Sequence, residues 1–197
     1  TSITNRDGSH GPQICGIVTF TGSGLTLPNG TLAGPRGRGI FGSGATPSNT
    51  NVMDVIEIAT TGNSIDFGDD IFGREENYAS FSSATRGLFA GGQSPSRTSS
   101  IDYVVISSQG GVNDFGNLSI ATSTNAGCGN GIRGLSGGGE TPNAPAAPGV
   151  SRIDFVNIST TGDANGFGDL TKARTYLASG IASPTRGMWH GGNSPTT

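Results

Sequence analysis

Lysine is almost missing from this chain: Lys172 stands alone against ten arginines among 197 residues. Charged residues of either sign make up only 13%, and the net charge is −3. That leaves no basic stripe of the kind a nucleic-acid binder carries, and no acidic tail or charge block. Cysteine is scarce too. Cys15 and Cys128 share no motif, so they form neither a zinc site nor a disulfide framework. Both are expected to be small, buried or half-buried hydrophobes, and a single bridge between them stays open. No apolar run is long enough to insert as a membrane-spanning helix. No signal-peptide pattern is visible, and because residue 1 is Thr the chain is expected to be processed or cut from something longer. The two histidines are His10 and His190, and no G-x-S-x-G elbow occurs. Nucleophilic, metal-dependent and two-carboxylate catalysis each lack their signature, so a non-enzyme is expected.

What the chain has is glycine, 35 residues of it, without a Gly-X-Y period, which excludes collagen. Apolar content is low at 32%, yet charge is low as well, so this is not the composition of a disordered chain. Gly, Ser, Thr, Asn and Ala in such amounts suit many short strands joined by tight turns. The core must then be thin and shared between units.

One motif recurs four times: "RGIFGSG" at Arg38–Gly44, "RGLFAGG" at Arg86–Gly92, "RGLSGGG" at Arg133–Gly139 and "RGMWHGG" at Arg186–Gly192. The intervals between arginines are 48, 47 and 53 residues. A phosphate-cradling loop is needed once, before a helix and with a Lys-Ser/Thr after it. Four copies at a near-constant interval indicate repeated architecture. Each of the first three copies is followed by a Pro/Ser/Asn-rich linker and a strand-length run of β-formers: Val52–Ile58, Ser100–Ile106 and Arg152–Ile158. A polar turn and a phenylalanine in register come next, Phe67, Phe115 and Phe167. A small-residue segment such as Tyr78–Thr85 or Tyr176–Thr185 then leads into the next "RG" block.

This gives about four short strands per repeat of roughly 50 residues, the interval of a kelch-like propeller blade. The fold class read from the sequence is all-β, a kelch-like β-propeller of about four blades. The apolar "GLFAGG" residues are expected on a strand near the propeller axis, where glycines permit close approach of backbones. The paired glycines would allow a sharp exit that a Cβ obstructs. Residues 1–13 read as a lead-in and 14–197 as repeats starting near 38, 86, 133 and 186. Ile14–Phe20, "ICGIVTF", matches the Ser100–Ile106 strand, with Gly16 in place of the aspartate. Almost nothing follows the last "RG" block, so the two ends look like complementary parts of one split closing blade. The alternative is a partial propeller completed by other sequence or another chain. Asp169–Ala178 contains good helix formers, but its counterpart Asn117–Ala126 does not, so both are read as strand and turn.

Asp54, Asp102 and Asp154 recur at one strand position, and Arg38, Arg86, Arg133 and Arg186 at the "RG" position. Either they ring a channel and bind an ion or acid, or each Arg pairs with a repeat carboxylate and bonds blade carbonyls through its planar fork. The structural reading is preferred, because a catalytic site needs one asymmetric constellation. Asp163, Asn165 and Asp169 resemble a Ca2+ loop, although Asp, Asn and Gly are also what tight turns use. Trp189 and His190 are the candidate sugar-binding pair. The competing reading packs Trp189 between blades at the Phe41/Phe89 position.

Taken together, "TRGLFAGG…P…IDYVVIS…G…DFG(D/N)L…AR" resembles the kelch-like repeat regions of structural proteins of tailed, marine cyanophage-like phages. The stretch "TSITNRDGSHGPQICGIVTFTG" is similar to the segment preceding such repeats. Ser136, where other copies have an aromatic, and a degenerate first repeat are the departures. The resemblance implies a virion surface component, such as a tail fibre, spike or decoration module. It also implies other virion proteins as partners and a homo-oligomeric state, with a host surface glycan or protein held by loops on one face. The Pro/Ala-rich linker Glu140–Ser151 is the candidate loop. A cell-surface or extracellular lectin or adhesin is the alternative. A propeller enzyme comes third.

Overall fold

The computed structural model describes residues 25–26, 32–33, 37–45, 47–76, 78–142 and 149–194. Ile14–Phe20, expected as a strand, and half of the Glu140–Ser151 linker lie outside them. The chain divides into two units, Thr1–Pro35 and Arg36–Thr197. In the first, β1 (Leu25–Thr26) and β2 (Leu32–Ala33) pair antiparallel.

The second unit is all-β among the described residues: thirteen strands in four antiparallel sheets. The first sheet orders β3 (Arg38–Ala45), β4 (Asn49–Glu57) and β5 (Ile65–Asp69). The second orders β6 (Ala79–Ser82), β7 (Arg86–Ala90), β8 (Ser100–Val105) and β9 (Asn113–Asn117). The third repeats this with β10 (Ala126–Gly129), β11 (Arg133–Gly137), β12 (Arg152–Asn157) and β13 (Asn165–Asp169). The fourth has β14 (Thr175–Ala182) and β15 (Gly187–Asn193). Asp169–Ala178, rich in helix formers, therefore becomes the end of one strand, a bend and the start of another.

The "RG" blocks are β3, β7, β11 and β15, and each Ile-Asp or Met-Asp run is the strand that follows in its sheet. Their register is the same in three sheets: Phe41↔Asp54, Phe89↔Asp102 and Ser136↔Asp154. The next pairing carries a register shift at the aspartate in all three sheets, between Met53/Asp54, Ile101/Asp102 and Ile153/Asp154. Such irregularities re-aim side chains, and Asp102 and Asp154 end up buried.

The paired glycines do what their position requires. Gly91 and Gly92 have φ of 82° and 96°, Gly138 and Gly139 69° and 106°, and Gly191 and Gly192 73° and 84°. Both members of each pair lie at positive φ, which side chains disfavour. Ser43 holds the equivalent place in the first block at φ 55°.

Close approach of backbones occurs in the "RG" blocks, where a Cβ on Gly91 would stand 2.5 Å from the Thr122 carbonyl oxygen, and at the strands that precede them. There β6, β10 and β14 lie side by side. A Cβ on Gly127 would stand 2.5 Å from the Ser80 carbonyl oxygen, and one on Gly180 2.4 Å from that of Gly127. Glycine is needed in the same way at Gly68 and Gly116, where a Cβ would stand 2.6 and 2.4 Å from the Gly110 and Gly162 carbonyl oxygens.

The core lies between successive sheets. Met53, Val55, Phe67, Phe89 and Val104 join the first sheet to the second. Phe81, Leu88, Ile101, Phe115, Val156 and Ile158 join the second to the third. Backbone bonds bind the same neighbours. The Gly110 N–H donates to the Phe67 carbonyl (2.9 Å), and the Gly162 N–H to that of Phe115 (2.7 Å). No single sheet has enough apolar residues to bury itself, so each uses its neighbour.

Candidate functional site: a cavity between the sheets

A cavity of about 620 Å3 is lined from all four sheets. Ile40–Gly44 of β3, Tyr78 and Ser80 at β6, Asn125–Gly127 at β10 and Leu177–Gly180 of β14 face it, with Arg74 in its wall. Glycine and alanine at the converging strands keep the space open. Its polar character comes from Ser43, Arg74, Glu76, Tyr78 and Asn125.

Arg74 is the residue that sequence reasoning missed. Its side chain is wholly buried, with Nε 3.4 Å from Asp70 and Nη2 paired with Asp102, both also buried. Nη1 donates to the Gly91 carbonyl at 3.1 Å and more weakly towards Phe89 at 3.4 Å. Burial pulls the guanidinium below its ordinary value, while Asp70 and Tyr78 push it back up. A charge taken out of water needs such partners. The Tyr78 hydroxyl donates to the Gly42 carbonyl. Burial first, and then Asp70, raise it from the ordinary tyrosine value to about 12. Asn125 donates to the Ala90 carbonyl (3.2 Å) and to Ser136 Oγ (2.8 Å), tying β10 to the two "RG" strands. A signal for Arg74 existed. Arg174 precedes β14 as Arg74 precedes β6, and it likewise reaches the first glycine of its pair, Gly191, though at 3.4 Å.

The repeated charges do not ring this cavity: Asp54, Asp102, Asp154 and the four "RG" arginines are not in its lining. Nor do those arginines pair with those aspartates, which corrects the expected Arg–carboxylate pairing. Arg86 lies opposite Val105, three residues along β8 from Asp102, or about 10 Å in a strand. Two of them, Arg38 and Arg86, bond carbonyls of the following sheet instead. Arg38 Nη1 donates to Ile106 (2.8 Å), and Arg86 Nη1 to Ile158 and Ser159 (3.1 Å each). Arg38 also pairs with Glu57. Arg86 and Arg133 lie over the rings of Tyr103 and Phe155. Arg186 is exposed. Asp154 is held by Arg152 and accepts from Ser119.

The three Ca2+-loop candidates are not brought together as a ligand set. Asp163 accepts from the backbone and side-chain amides of Asn117. Asp169 accepts from Ser151, and Asn165 sits in the ladder opposite Phe155. Among the described residues no cluster of three His, Cys, Asp or Glu could hold a metal ion. Trp189 is half-buried and donates through Nε1 to the Ala126 carbonyl at 2.9 Å, while His190 is exposed. The indole lies beside Gly137. Cys128 is a buried free thiol, which burial pushes up.

Compared with known proteins, the chain matches no family model and no curated protein.

Proposed function

We propose that the four sheets are successive blades of a kelch-like β-propeller of about four blades. The incomplete blade is closed across the two ends of the chain. The cavity lined from every sheet carries this reading, because sheets joined in a row share a common space only when they bend round an axis. The role we propose is a non-enzymatic virion surface module, a tail-fibre, spike or decoration domain. It acts with other virion proteins, as a homo-oligomer, and presents its loops to a host surface glycan or protein. What supports that role is the resemblance of the repeats, together with polar turns projecting from a rigid repeated frame.

The test is co-purification with phage particles at a fixed copy number. A protein that washes off at every stoichiometry would end the virion reading. A glycan array on the isolated domain tests the lectin alternative: binding there without particle association would replace one role by the other.

A further inference from the structure

The first sheet departs from the repeat at three positions, and all three meet in one cleft. Val55, facing Ile40, stands where Tyr103 faces Leu88 and Phe155 faces Leu135. Glu57, facing Arg38, stands where the neutral Val105 and Asn157 face Arg86 and Arg133. Ile65, across from Val55, stands where Asn113 and Asn165 lie across from the two rings. In the second and third sheets the ring lies under the arginine, its centroid 4.6 Å from the Arg86 guanidinium carbon and 5.0 Å from that of Arg133. Arg38 has no ring beneath it among the described residues. It lines a cavity of about 390 Å3, shared with Val55, Glu57 and Ile65, which is within the size range of small-ligand sites. Val112, where the third sheet has Ala164, takes up part of the lost volume deeper in the core and is not in the cavity's lining. Departures from a repeated rule that gather at one spot mark a place kept for function.

We infer that this cleft binds one neutral pyranose ring of a glycan. The inference rests on the surface-module reading for the source of that sugar, the host surface. The cleft has two kinds of wall. Val55, Ile56 and Ile65 are apolar, and Ile65 is 61% exposed. The C–H face of a pyranose suits them, since both sides of that contact leave water. Arg38, Glu57, Thr60, Asn63, Ser107 and Gln109 are polar. Arg38 uses Nε on Glu57 (2.7 Å) and Nη1 on the Ile106 carbonyl (2.8 Å). Among the described residues its Nη2 and the second Glu57 oxygen take no partner. Gln109 Nε2 donates to the Asp66 carbonyl at 2.9 Å, which holds the second sheet's side of the cleft in place and leaves the amide oxygen as an acceptor. Each sugar hydroxyl both donates and accepts. Two neighbouring hydroxyls can therefore accept from Arg38 and donate to Glu57 at once. The same pair selects against charge. Arg38 and Glu57 neutralise one another, so a charged ligand meets its opposite only by also meeting its like.

The test is saturation-transfer NMR on the full chain with the methyl pyranosides of glucose, galactose and mannose at millimolar concentration. Glucuronic acid and glucosamine serve as charged probes. At least one neutral glycoside is expected to bind, and both charged probes to bind at least about tenfold more weakly. Val55→Tyr with Val112→Ala rebuilds the Tyr103/Ala164 pair of the next junction, and it should abolish the signal while unfolding stays cooperative. Glu57→Gln changes a half-exposed side chain, so the fold is kept. It should weaken the neutral sugar by about tenfold or more and admit glucuronic acid, because Arg38 loses its counter-charge. No signal from any neutral glycoside overturns the inference. So does a signal that survives in the folded double variant, or an unchanged order of probes in Glu57→Gln. The unaltered protein gives a further reading: the amide signals of Asn63 and Gln109 should move on titration with the bound glycoside. Binding with shifts elsewhere overturns this site and leaves a glycan-binding module standing. Particle co-purification reads the virion role separately.

Discussion

Replacing Arg74 by methionine should be among the most damaging single changes in this protein. The side chain is wholly buried, and so are both carboxylates it faces, Asp70 and Asp102. Methionine keeps much of the volume but leaves two carboxylates out of water with no cation. Breaking a buried pair in this way costs about 3–5 kcal/mol. Two further acceptors, the Phe89 and Gly91 carbonyls, also lose a donor. With a urea slope near 2 kcal/mol/M, the midpoint should fall by roughly 1.5–2.5 M. Urea unfolding of wild type and variant, followed by Trp189 fluorescence and circular dichroism, measures it. The triple change Arg74→Met/Asp70→Asn/Asp102→Asn should recover more than half of the loss, since both stranded charges are gone. A loss below about 1 kcal/mol for the single variant, the range of an exposed pair, would refute the buried-cluster argument.

Gly127→Ala and Gly180→Ala should each cost about 1–3 kcal/mol, because the added Cβ meets a backbone carbonyl at 2.5 and 2.4 Å. Gly62→Ala, with open space around it, should leave the thermal midpoint unchanged. Arg86→Ala should cost about 1.5–3 kcal/mol through its two charge-assisted bonds to the third sheet, and Arg86→Lys should not recover all of it in denaturant unfolding. Tyr78 titrates higher in the fold than when unfolded, near 12 against 10. The fold therefore binds the proton more tightly, and its contribution is complete below pH 10 and lost as pH rises towards 12. Stability should fall across that window, and Tyr78→Phe should flatten the fall when melting is followed from pH 9 to 12.

Much of the architecture was legible because repetition writes the same local rule several times. Four "RG" blocks, three of them with paired glycines, announced equivalent turns. Three Ile-Asp or Met-Asp runs announced three equivalent strands at strand length. The recurring phenylalanines marked a position that two sheets bury completely. Comparing copies also settled Asp169–Ala178, where helix propensity pointed the wrong way. The site was much less legible. Repeated arginines and aspartates invited pairing with one another, but a residue's place along its strand, invisible in its type, keeps them about 10 Å apart. The buried cation, Arg74, recurs only as Arg174, and Ala121 stands at the matching place ahead of β10, so repetition did not draw attention to it.

By itself, then, the amino-acid sequence determined the strands and their turns. These depend on alternation, β-branching and positive φ, all properties of a few neighbouring residues. Tertiary structure decided which sheet covers which phenylalanine, where each arginine finds its carbonyl and which side chains face the shared cavity. The arginine bonds alone join residues 15 to 73 positions apart, and the cavity brings together Ile40 and Gly180. No local pattern encodes that distance, and only the packing of one thin sheet on the next brings those residues together.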